Sequence, residues 1–209
     1  YTLKTDIISG NEVVDDYLTD FGFRSIYYEE SGFYVNGVKT KLKGVANHWA
    51  IGALGAAQSD NMIRYAVQIL KDMGVNAIRT AHNARPPVFY QICNELGMMV
   101  MDELFEGATG KAPGDYGTLY YQSRWKTDME YWLRRDRNHP SIVFWSLGNE
   151  TREGDNGMTA FLKQFDTTRP TTGGDIFQVV DIPGGNGSSE QVTFTQPVAG
   201  KPMVATEAP

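Results

Sequence analysis

The 209-residue chain carries a formal charge of −6, 12% aromatic residues and one cysteine. It is long enough to bury a core, as one large domain or as a large piece plus a small one, and its acidity argues against a nucleic-acid partner, which needs a basic face. No apolar run approaches the length of a membrane span, and Cys93, standing by itself, excludes an internal disulfide.

Residues 1–28 read as β structure. Thr2, Leu3, Thr5, Ile7 and Ile8 precede a Gly10-Asn11 turn, Val13 and Val14 follow it, and Phe21, Phe23 and Ile26 alternate with small or polar residues. So few strands cannot bury a face alone. The expectation is the tail of a β-sandwich domain, and a start at Tyr1 without Met reads as a cut. A hairpin comes next: Gly32 to Val35, an Asn36-Gly37 turn, then Val38 to Leu42. Asn-Gly favours such turns because both central positions need positive φ.

From Lys43 the hydrophobic period changes. Gly44-Val45-Ala46 is a short strand ending at Asn47-His48-Trp49. Ser59-Asp60 caps a helix with Ile63, Val67, Leu70 and Met73 on one stripe, stopped by Gly74. Val75 to Ile78 is a second strand, ending at Arg79-Thr80-Ala81-His82-Asn83. Pro86-Pro87 opens a helix that Gly97 closes. Met98 to Met101 is a third strand, ending at Asp102-Glu103. A long helix with Trp125, Met129, Trp132 and Leu133 on one stripe leads to Pro140. Ile142-Val143-Phe144-Trp145 then forms an unalternating apolar run, which suits a strand buried on both faces, and Gly148, Asn149 and Glu150 follow it. After a short helix around Met158, Phe161, Leu162 and Phe165, Arg169 to Thr172 is a fifth strand, and Met203 to Thr206 is another.

Strand–helix alternation implies parallel strands with right-handed crossovers. Four strands in succession end in polar residues. That repetition predicts an α/β (β/α)8 barrel with its site at the carboxyl face. Residues 173–200 break the rhythm, being rich in Gly, Ser, Pro and Gln without a helical pattern. The segment is either irregular or a place where residues have been closed over. The chain ends before a last strand could close the barrel.

Two segments carry a family likeness. Asn76-Ala77-Ile78-Arg79-Thr80-Ala81-His82-Asn83 is one. Asp136-Arg137-Asn138-His139-Pro140 through Trp145-Ser146-Leu147-Gly148-Asn149-Glu150 is the other. With Phe21-Gly22-Phe23-Arg24 and Gly32 to Gly37, they make the chain resemble glycoside hydrolase family 2, the group of β-galactosidases, β-glucuronidases and β-mannosidases. The likeness runs from Asp15 to about Thr172 and resumes at Lys201. It implies the end of an immunoglobulin-like β-sandwich over residues 1–28. It also implies a catalytic TIM barrel over 29–209, incomplete in its last strand.

The resemblance assigns roles. Retaining glycosidases use two carboxyl groups about 5–5.5 Å apart across the scissile bond. Glu150 would be the acid/base, and Asn149 would bond the sugar's 2-hydroxyl. The nucleophile should end a later strand, and Glu207, after Met203 to Thr206, is the candidate. Arg79 would hold that nucleophile ionised or form a structural ion pair in the barrel mouth. His82 and His48 would contact sugar hydroxyls, and Asp102 and Glu103 would bind sugar or support that shell. His139 and Trp145 read as structural, and Cys93 as inert on a helix stripe.

These roles make the expected protein a retaining exo-β-glycosidase acting on terminal β-D-galactosides. β-Glucuronidase, β-mannosidase and an inactive sugar-binding fragment are the alternatives. No cofactor is required by this reading. Mg2+ or Na+ occurs in relatives, but no His/Asp/Glu spacing here argues for a metal. The partner is carbohydrate, with no nucleic acid and no membrane. A homo-oligomer would form through domains beyond this stretch, and a bacterial-type cytoplasm or periplasm is the expected compartment.

Overall fold

The computed structural model describes residues 1–107, 112–151, 157–187 and 200–207. Strands β1 (Thr2–Ser9) and β2 (Glu12–Asp20) form an antiparallel hairpin with a register shift between Ile7 and Ile8. Its apolar side chains, Leu3, Ile7, Ile8, Val13, Val14, Tyr17 and Leu18, are all exposed. Strands β3 (Ile26–Glu29), β4 (Gly32–Val35) and β5 (Val38–Lys39) make a second small antiparallel sheet. Asn36 and Gly37 both take positive φ at its turn. The expected break after residue 28 therefore falls inside β3, which is hydrogen-bonded to β4.

The main body is a five-stranded parallel sheet in the order β10-β9-β8-β7-β6. Its members are β6 (Gly44–Ala46), β7 (Ala77–Arg79), β8 (Met99–Glu103), β9 (Ile142–Asn149) and β10 (Thr171–Gly174). A parallel pair, β11 (Gly184–Asn186) and β12 (Val204–Glu207), continues the curve. β11 packs near β10, and β12 packs near β6. Among the described residues this is a TIM barrel of seven parallel strands. The fifth strand lies two residues later than its sequence suggests. The stretch read as irregular contains β11, whose Gly184-Gly185 offers no side-chain pattern to read.

Helices α1 (Asp60–Asp72), α2 (Pro87–Leu96), α3 (Tyr116–Leu119), α4 (Tyr121–Asp136) and α5 (Met158–Leu162) connect the strands. Ser59 caps α1 by accepting from the Met62 N–H. Gly97 closes α2 in the left-handed conformation at φ 67°, and Met98 N–H returns to the Cys93 carbonyl, the usual way a left-handed glycine satisfies the last turn. Met73 is not on the buried stripe of α1. It sits at the C-cap, 72% exposed, one residue past the point where the helical period holds.

Strand alternation splits the core in two. Val45, Ile78, Val100, Trp145 and Leu147 face outward and pack with Ile63, Ile92, Met129, Trp132 and Leu133 of the helices. Met99, Met101, Val143 and Ile182 face inward. Phe33 of β4 closes the lower end, its ring 5.0 Å from Phe144. Gly22 lies against Pro140, where a Cβ would come within 2.8 Å of the proline ring, and the Arg24 guanidinium donates to the Ile142 carbonyl at 2.6 Å. The aromatic residues serve this packing. Trp125, Trp132 and Trp145 are buried, and Trp49 is packed against the core beneath the Arg85 guanidinium.

One polar knot sits in the helix–sheet layer. Asp102 accepts from Tyr90 Oη at 2.6 Å and from Trp132 Nε1 at 2.7 Å. The buried Asp136 lies beside it, itself receiving Nε and Nη2 of Arg135 at 2.7 and 2.6 Å. Burial first, and the Asp136 charge second, push the Asp102 carboxyl up to about 8. The folded chain thus holds a proton that an unfolded aspartate releases near the ordinary value of 3.8. More protons bound to the native state means that stability falls as pH rises, from about 4 to about 8. Asp102→Asn removes the titrating group. Its Tm should fall less steeply across that interval, and Tm–pH curves parallel to the parent's would show that Asp102 titrates as an ordinary carboxylate.

Candidate active site

The polar residues gather where the parallel strands end, and Arg79, the last residue of β7, is at their centre. It is 4% exposed. Nε and Nη2 donate to the two oxygens of Glu103 at 2.9 and 3.1 Å. Nη2 also donates to Asn149 Oδ1 at 3.0 Å. Nη1 reaches Glu207 Oε2 at 3.2 Å, and Asn186 Oδ1 and the Thr206 carbonyl at 3.3 Å each. One planar cation thereby ties together the ends of β7, β8, β9, β11 and β12.

Glu103 is fully buried at the end of β8. Besides Arg79 it accepts from Ser146 Oγ at 2.6 Å and contacts His82 Nδ1 at 2.8 Å. A carboxylate can only accept, so Nδ1 carries a proton and donates it to the hydrogen bond. With that hydrogen and both Nη2 hydrogens already used, the 3.3 Å approach of Arg79 Nη2 to Nδ1 is a contact rather than a bond. His82 Nε2 points into the mouth, 3.9 Å from Glu207 Oε2 and 3.9 Å from Glu106 Oε2. The exposed His48, just beyond β6, sets its ring edge-on to His82 at 4.9 Å.

Asn149 ends β9 and is 2% exposed. Its Oδ1 accepts from both Arg79 Nη2 and, at 2.6 Å, Asn186 Nδ2. With the oxygen saturated, Nδ2 is the end of the amide left for a ligand. Asn186 is fixed in turn by its Oδ1, which accepts from Thr206 Oγ1 at 2.8 Å, and by its N–H, which donates to Asp175 Oδ1 at 2.8 Å. Glu150 follows Asn149 in left-handed conformation at φ 49°, its N–H on the Gly174 carbonyl at 2.8 Å, with its side chain exposed. Gly174 must lack a side chain, because a Cβ there would stand 2.8 Å from both Arg79 Nη2 and Asn149 Oδ1.

Arg79, His82, Asn149, Glu150, Glu207 and His48 therefore share one strand-end rim. Asp102 does not join them. It faces the helices, where Tyr90 and Trp132 occupy both its oxygens, so the sugar-contact expectation for Asp102 is corrected. The reason is the strand period: Glu103 continues the inward set of Met99 and Met101, and Asp102 the outward set of Val100. Glu103 is inward, with its oxygens engaged by Arg79, His82 and Ser146. Asn186, Ser146 and Thr206 were not foreseen. A polar residue closing a short strand was the available signal for Asn186, but two preceding glycines hid that strand. His139 is structural. Its Nδ1 lies 2.9 Å from Asn94 Nδ2, and burial, with Arg135 and Arg169 nearby, holds it down to about 4. The Cys93 thiol is fully buried and pushed up by that burial.

The arrangement presents carboxylates, an amide N–H donor and imidazoles around one opening, with a buried cation beneath them. The family model described as "Glycosyl hydrolases family 2, TIM barrel domain" matches residues 26–182. A Formosa agariphila protein provisionally named a beta-glucuronidase is 48% identical over 100% of this chain and 21% of its own length. Beta-galactosidase BoGH2A of Bacteroides ovatus is 39% identical over 73% of this chain and 18% of its own length. The crystal structure of a beta-glycosidase from Bacteroides vulgatus superposes with a TM-score of 0.92 at 39% identity, covering 100% of this chain and 28% of that one. The chain spans about a fifth of the length of these curated relatives. It belongs to glycosyl hydrolase family 2.

Proposed function

We propose that the protein containing this chain is a retaining exo-β-glycosidase that hydrolyses terminal β-D-galactosides. The observation that carries the proposal is the Arg79 guanidinium, which donates to Asn149 and Glu207 together. It gathers a late strand-end carboxylate to the segment that ends in Glu150. In this reading Glu207 attacks the anomeric carbon while Glu150 gives its proton to the departing oxygen. Water then adds to the same carbon, Glu150 takes the proton back, and the bond to Glu207 breaks. Arg79, through its hydrogen bond, keeps Glu207 aimed. Asn149, its oxygen pinned by Arg79 and Asn186, turns Nδ2 toward the 2-hydroxyl. His48 and His82 contact further hydroxyls. The reading requires no cofactor.

A neutral sugar is favoured by charge. Among the described residues, the cation seen at the rim is Arg79, and its donors are already engaged by Glu103, Asn149, Glu207, Asn186 and Thr206. Among the described residues, a uronate carboxylate entering beside Glu106 and Glu207 would meet no cation besides the engaged Arg79. A β-glucuronide is the second reading, and what favours it is the 48% identical Formosa agariphila protein. Aryl β-galactosides and β-glucuronides, offered to the full-length protein at equal concentration, decide between them by kcat/KM.

The mechanism makes three expectations. Glu150→Gln should spare substrates with activated aryl leaving groups, which need no proton, and slow poor leaving groups by roughly 10²–10⁴-fold. Equal losses for both kinds would remove Glu150 from the acid role. Glu207→Gly should abolish turnover of both kinds in a steady-state assay, and retained turnover would exclude it as nucleophile. Asn186→Ala should lower kcat on 2-hydroxy sugars by about tenfold while sparing 2-deoxy analogues. An equal drop on both would show that Asn186 merely holds the fold.

A further inference from the structure

We infer that His48, His82 and Glu207 form a binding site for a divalent transition ion, with Zn2+ as the matching species, and that an ion held there shuts the sugar out. Each residue offers one ligand atom, and the three atoms lie within 4.8 Å of one another. A tetrahedral Zn2+ with bonds of about 2.0–2.2 Å needs its ligand atoms about 3.3–3.5 Å apart. The 3.9 Å between His82 Nε2 and Glu207 Oε2 is close to that span. His48 lies beyond the end of β6 and is exposed, and the Glu207 side chain is 39% exposed, so small side-chain rotations can close the set.

The surroundings are those of a metal-ligating histidine. His82 Nδ1–H donates to Glu103 at 2.8 Å, which orients the ring with Nε2 toward Glu207, the outer hydrogen bond that metal-ligating imidazoles commonly make. Glu103 is itself immobile, fully buried between Arg79 and Ser146. Arg79 would oppose a cation, but its paired contact with Glu103 offsets that charge. Glu207 and Glu106, whose Oε2 is 3.9 Å from His82 Nε2, leave the opening acidic. Two imidazoles with one carboxylate select a borderline ion over Mg2+ or Ca2+, which prefer oxygen. Three protein ligands leave a fourth position for water. Exclusion of sugar rests on the function proposed above, since the ion would occupy the proposed nucleophile. Ion binding itself does not.

The test is calorimetric titration of the full-length protein with ZnCl2 in a non-chelating buffer, with Co2+ absorption as a second readout. One Zn2+ per chain is expected, together with visible Co2+ bands of a tetrahedral site. His48→Ala and Glu207→Gln should each weaken binding at least about tenfold, with circular dichroism matching the parent. Absence of saturable binding, or parental affinity in both variants, overturns the site. Zn2+ should raise KM for the aryl glycoside without changing kcat; a purely noncompetitive loss overturns the exclusion. A protein inactive on every glycoside would sink the proposed activity and leave the titration to decide the ion site.

Discussion

The buried ion pair between Arg79 and Glu103 is the constraint on which the rim of this barrel depends. Both side chains are almost fully removed from solvent, and each has every polar atom engaged. Removing one partner would strand a charge in the interior, a loss of about 3–5 kcal/mol. The pair does more than tolerate burial. The donors left over on Arg79 aim Asn149, Asn186 and Glu207, while Glu103 Oε1, already bonded to Arg79, also accepts from His82 Nδ1 and orients that ring. Five strands that meet through few side chains of their own are joined at their polar ends by one planar group. A lysine, with a single ammonium, could not reproduce that fork.

The pair is affordable because the barrel has two separate apolar layers beneath it. Helices α1, α2, α4 and α5 bury the outward strand residues, and the small sheet β3–β5 closes the lower end through Phe33. Polar groups inside the helix layer are confined to knots whose members satisfy one another. Asp102 with Tyr90 and Trp132 is one, and Arg169 with Asp166, Trp145 and the carbonyls of Arg137, His139 and Ile142 is another. The floor is apolar and the upper rim polar and charged, which is the division of labour that barrels of this kind use.

Much of this was legible in residue order. Helical period placed α1 and α4, Ser59 marked the start of α1 and Gly97 the end of α2, and the unalternating run before Asn149 announced a strand buried on both faces. Other features are masked in the sequence for identifiable reasons. Met73 fits the apolar period of α1 but lies beyond its last turn. Asp102 and Glu103 look equivalent in sequence, yet a two-residue period sends one to the helices and the other to the rim. β11 is Gly-Gly-Asn, too short and too poor in side chains to show a period, so only its neighbours in space reveal Asn186.

Sequence by itself determined the family, the parallel strand–helix alternation and the identity of most polar strand ends. Those follow from local periodicity and from a long contiguous motif, both of which are written along the chain. Only the tertiary structure decided which polar side chains meet: that Arg79 bridges Glu103, Asn149, Asn186 and Glu207, and that His48 stands beside His82. Such meetings join residues up to 128 positions apart. They depend on strand register and barrel curvature, which close only when the whole sheet packs, so no local pattern encodes them.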